Sequence, residues 1–142
     1  MKNKMLTIML IILTSITLVG VVALIFVFQF NNGAKAEQGP TIDEIIEASV
    51  DVPEITTNLE GKNVIRLSLK IQTDGKDAAE ELTKRDFQVK NIVIQELSEM
   101  TAAELEGKEG KQSFENAIKA QVDELMDSGE VQKVYITSYI IQ

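Results

Sequence analysis

From Met5 to Phe28 the chain carries no charged residue, and nearly every side chain is apolar, in the run MLTIMLIILTSITLVGVVALIFVF. No polar stripe recurs in it, so a helix built from it is apolar all round. About 24 residues at a rise of about 1.5 Å give a helix of roughly 36 Å, against about 30 Å of bilayer hydrocarbon. The pattern predicts one membrane-spanning helix with Met5 and Phe28 at its ends. A cleaved signal peptide is the rival reading. Lys2 and Lys4 would supply its charged start, and Ala34-Lys35-Ala36 has the small-x-small form of a cleavage site. The apolar region of a signal peptide is about 7–15 residues, however, and this run exceeds it, which favours an uncleaved anchor.

Residues 29–40, with two Asn, two Gly and Pro40, have no apolar period and predict a linker. Thr41 is then placed to cap a short helix, with Glu44 as its capping-box partner and Ile42, Ile45 and Ile46 as its apolar side. Asp51, Pro53 and Glu54 interrupt the pattern. Ile65, Leu67, Leu69 and Ile71 alternate strictly with polar residues, a strand wet on one face, and Ile55–Leu59 is its expected neighbour. From Asp77 the period changes: Ala79, Leu82, Asp86, Val89 and Val93 fall on one helical stripe, predicting a single long helix to about Ser98. Thr101 and Glu104 repeat the capping-box spacing, with Gly107 and Gly110 breaking that helix early and 107–111 read as a loop. Phe114, Ile118, Val122 and Leu125 form another helical stripe, with Gly129 where a helix ends. The last strand, Val131–Ile141, places Val134, Ile136 and Ile140 on one side and Tyr135, Thr137, Tyr139 and Ile141 on the other, as if covered on both. The fold class expected is α+β: a transmembrane helix (5–28) and a linker (29–40), then one small domain (41–142) in β-β-α-α-β order.

Charge orients this plan. All 22 acidic residues follow Ala36, whereas Lys2 and Lys4 precede the apolar run. The positive-inside bias puts residues 1–4 in the cytoplasm and the domain outside the cell membrane. So acidic a domain excludes a nucleic-acid partner, which needs clustered Lys and Arg, and disfavours contact with anionic headgroups. The chain has no His and no Cys, which removes the commonest general base, thiol nucleophiles and the usual zinc sites. Gly107-Lys108-Glu109-Gly110-Lys111 lacks the spacing of a phosphate loop, and Asp74-Gly75-Lys76-Asp77 lacks that of a calcium loop. The sequence therefore points to a non-enzymatic protein with no cofactor, metal or small-molecule substrate. A tethered ligand-binding or sensory module is the alternative. Thr14, Thr17 and Gly20 mark a possible helix-contact face in the membrane. Asp86 stands out on the apolar stripe, with Arg85 or another basic group as its possible partner.

Two stretches carry a family resemblance. Lys84-Arg85-Asp86-Phe87-Gln88-Val89-Lys90-Asn91-Ile92-Val93-Ile94, followed by Glu96-Leu97-Ser98, resembles the central helix of the flagellar basal-body-associated FliL family. Val134-Tyr135-Ile136-Thr137-Ser138-Tyr139-Ile140-Ile141-Gln142 is similar to that family's C-terminal strand. The resemblance implies a stomatin-like extracytoplasmic domain, a ring-like homo-oligomer and association with the stator membrane proteins of the flagellar motor, in support of rotation. It also implies that the segment after the span contacts the stator. Thr41, Ile42, Ile45, Ile46, Arg85 and Asp86 are the candidate stator or self-contact residues on this reading.

Overall fold

The computed structural model describes residues 2–33 and 39–142, with side chains described for 3–27 and 39–142. It divides into two compact units, Met1–Gly39 and Pro40–Gln142. The first is helix α1 (Lys2–Gly33), so the backbone stays helical beyond Phe28. Its segment Asn3–Val27, whose most apolar 18-residue stretch has mean hydropathy 2.9, is long and apolar enough to cross a membrane. Of the expected linker, residues 34–38 lie outside the described residues.

The second unit begins with α2 (Ile42–Glu47) and continues β1 (Ser49–Asn58), β2 (Val64–Thr73), α3 (Lys76–Lys84), α4 (Asp86–Ser98), α5 (Gly107–Asp123) and β3 (Val131–Ile141). The strands form one antiparallel sheet in the order β1-β2-β3. Its inner face carries the predicted alternation: Ile65, Leu67, Leu69 and Ile71 are all buried. Val89, Val93 and Leu97 from α4 and Phe114, Ile118 and Val122 from α5 close the core from the other side. The domain thus has two layers, helices on one face of the sheet and solvent on the other, the arrangement that a polar-apolar alternation requires.

Four expectations are corrected. The long helix is two, because Arg85 leaves helical geometry at φ −97°, ψ 16° between α3 and α4. A continuous helix would hold Asp86 on the buried stripe with Leu82 and Val89. The break instead makes Asp86 an exposed first-turn acid, favoured by the helix dipole. Residues 107–111 are the first turn of α5 rather than a loop. Here Gly110 is required by close packing, since a Cβ would lie 2.0 Å from the Glu104 carbonyl oxygen. Strand β1 starts at Ser49 and runs through Pro53, because a bulge between Val52 and Ile55 takes up the interruption on an edge strand. Finally, β3 is covered on one face only. Register shifts opposite Ser68/Leu69 and Gln72/Thr73 move Tyr139 and Ile141 onto the side of Leu67 and Ile65, leaving Ile140 opposite Arg66 on the open face. Two β3 amides are taken by carboxylates of α5: Val131 N–H donates to Asp123 (2.7 Å) and Ile136 N–H to Glu115 (2.9 Å).

Candidate interaction surfaces

In α1 the side chains from Asn3 to Val27 are exposed all round. Its hydroxyls bond within the helix: Thr14 and Ser15 both donate to the Ile11 carbonyl (2.9 and 2.7 Å) and Thr17 to that of Leu13 (2.7 Å). This is the alternative that an apolar medium favours for a lone hydroxyl. Thr14, Thr17 and Gly20, three residues apart, spread over about 120° of the helix rather than forming one narrow ridge.

Helix α2 is built by its cap. Glu44 accepts from the Thr41 backbone N–H at 2.7 Å, and Thr41 Oγ1 accepts from the Glu44 N–H at 3.3 Å. The Thr41 N–H bond, with the Thr41 hydroxyl donating to the same carboxylate at 2.9 Å, holds the Glu44 carboxyl below its ordinary pKa. The six residues bury none of their own number. Ile45 is half-buried, whereas Ile42 and Ile46 are 67% and 56% exposed. An exposed isoleucine pair on so short a helix gains nothing from the domain's own core, which makes it the most plainly unpartnered of the predicted contact residues.

Arg85 and Asp86 are adjacent but go to separate networks. Asp86 bonds Lys90 at 2.9 Å along α4, and that bond lowers its pKa. Arg85 reaches Glu81 (Nε, 2.8 Å), Gln88 (3.3 Å) and Asp127 (2.5 Å). Both expected contact charges are therefore engaged inside the domain. Between them and the C-terminus of α4 stands a residue that the stripe treated only as a flank: Phe87, 68% exposed, with Ile94 two turns on at 40%. Its signal was present, since positions 87 and 94, seven residues apart, share one face of the helix beside the stripe of Val89, Val93 and Leu97. On the open face of the sheet, Tyr135 bonds Gln72 (2.9 Å), Lys70 pairs with Asp51 (3.1 Å), and Lys133 lies over the Tyr135 ring.

Among the described residues no group of three or more acids is gathered to hold a metal. One open depression of the domain lies at the start of α3, between residues 74–78 and 128–129.

The family model described as flagellar basal body-associated protein FliL matches residues 49–142, from the first residue of β1 through β3. The chain is 48% identical to the flagellar protein FliL of Bacillus subtilis (strain 168) over 108 residues, 76% of this chain and 77% of that one. It is 23% identical to the flagellar protein FliL of Aquifex aeolicus (strain VF5) over 77 residues, 54% of this chain and 48% of that one. With the whole sheet and all three core helices inside the matched region, the chain belongs to the FliL family of flagellar basal body-associated proteins.

Proposed function

We propose that this FliL-family protein is a non-enzymatic accessory of the flagellar motor. Helix α1 anchors it in the cell membrane, N-terminus inside, and the stomatin-like domain from about residue 40 works outside. There it associates with stator membrane proteins and with copies of itself in a ring, and supports or modulates rotation. The observation that carries this reading is the family match across 49–142, joined in one chain to a helix long enough to span a bilayer. The exposed Ile42 and Ile46 are the proposed stator contact. Arg85 and Asp86, whose charges are already paired, serve the neighbouring contact through the surface around Phe87.

Deletion of the gene is expected to reduce swimming, and swarming more, while filaments still assemble. Restoring the gene with Ile42→Asp and Ile46→Asp together should leave the protein in the membrane and motility still impaired. Unchanged motility of the deletion strain in both dilute and viscous medium overturns the proposal. Because the chain has no Cys, Asp43→Cys provides a single exposed thiol. It should react with a membrane-impermeant maleimide in intact cells and crosslink to a stator subunit. Protection from the reagent would reverse the orientation.

A further inference from the structure

Glu81 is the most heavily used acceptor of the domain. Its carboxylate takes the Asp127 N–H at 2.8 Å, the Ser128 N–H at 3.1 Å, the Ser128 hydroxyl at 2.9 Å and Arg85 Nε at 2.8 Å. Arg85 closes the circuit through its own bond to Asp127. The partners stand far apart in the chain: Glu81 and Arg85 flank the end of α3, and Asp127 and Ser128 lie in the connection from α5 to β3. Other ion pairs of the domain are of a different kind. Lys90–Asp86 lies within a single helix and is well exposed, and Lys70–Asp51 has its acid in solvent. In the Arg85–Glu81 pair both side chains are largely shielded, at 23% and 17% exposed. Shielding and multiple charge-assisted bonds are what make such a contact strong.

We infer that Glu81 is a latch, fastening the 124–130 connection to the bend between α3 and α4 so that these segments open together rather than one at a time. The reason is an accounting of donors. Without the carboxylate, two backbone N–H groups and a guanidinium lose an acceptor at once. The amide of Arg85 donates to the Glu81 and Leu82 carbonyls, and its own carbonyl receives the Gln88 and Val89 amides. The residue held by the latch is therefore the residue that joins the two helices. The latch fixes the direction in which α4 leaves the bend, and with it the position of Phe87, two residues further on.

Native-state amide hydrogen exchange of the full chain in detergent micelles tests this. In the unaltered protein the amides of Arg85, Asp127 and Ser128 should share one opening reaction, with the same dependence on denaturant. In Glu81→Ala the Asp127 and Ser128 amides should lose protection by about tenfold or more. Leu69 and Ile71, in the centre of the sheet, should keep theirs. Glu81→Gln, which keeps the size and one acceptor oxygen, should fall between the two and serves if the alanine variant fails to fold. Two results overturn the latch. One is free exchange of Asp127 and Ser128 in the unaltered protein. The other is an equal loss at every amide in the variants, since the carboxylate would then add only to global stability.

Discussion

At position 110 a single hydrogen stands where no side chain fits. The carbonyl of Glu104 reaches into that space, held there because Thr101 and Glu104 cap the preceding turn through bonds of 2.7 and 3.2 Å. Gly110→Ala must therefore either push the 101–106 turn away from α5 or bend the first turn of the helix. Overpacking of this kind typically costs about 1–3 kcal/mol. Gly75→Ala is the control, because its backbone is extended (φ −175°) and nothing lies within 4 Å of the added carbon. The urea midpoint should fall clearly for the first variant and stay nearly unchanged for the second. Only tertiary contact distinguishes the two glycines. Spacing alone reads a Gly at 110 as a break, whereas here it is a point of close approach inside a helix. Glu81 was legible in the same partial way. Its place in the first turns of a helix was readable from pattern, and so was Arg85 one turn on, but Asp127 and Ser128 lie more than forty residues away, beyond the reach of any periodicity.

Elements were most legible where burial is simplest. The β2 alternation is recovered residue for residue, and the α5 stripe at Phe114, Ile118 and Val122, with Leu125 half-buried just beyond the helix end, because each buries one face. The division of 76–98 into α3 and α4 was not. Leu82, Asp86, Val89, Val93 and Leu97 satisfy helical spacing without interruption, and the conflict of an acid on that stripe is resolved by a change of backbone at Arg85. The β3 faces were misassigned for a related reason: a period of two counts residues, and each bulge adds one without changing the count on β2. For α1, length and composition are the whole argument, so a charge at its centre is the direct check. Val19→Arg places a guanidinium amid uncharged neighbours, at an insertion cost of about 2.5–3.5 kcal/mol. In the anchored reading this variant should leave the membrane fraction in part and motility should fall; a wholly unaltered distribution argues against the span.

For the molecule as a whole, the excess of acid has a consequence for pH. Glu81 is lowered from 4.5 to about 2, first by the Asp127 N–H and with further help from Ser128 and Arg85, while burial acts the other way. Glu44 and Glu104 are lowered by their Thr41 and Thr101 caps, and Asp86 by Lys90. Each carboxyl binds its proton more readily unfolded than folded. The stability they contribute is complete above about pH 5 and is lost as pH falls below the ordinary carboxylate range, for Glu81 towards about 2. The urea midpoint should drop across that window, and Glu81→Gln should flatten the drop while starting lower at neutral pH. An equally steep drop in the variant would remove Glu81 from the acid response. One more consequence concerns the borders of the sheet. On β3, Asp123 and Glu115 occupy two amides and the strand is bulged twice; on β1, Pro53 and its bulge interrupt the rim. Proteins confined side by side in two dimensions meet often, and a bare strand rim would invite copies to merge into one continuous ribbon. On the proposed membrane-anchored reading, with both rims blunted, copies that meet are left to do so through side chains, as separate bodies that can also part.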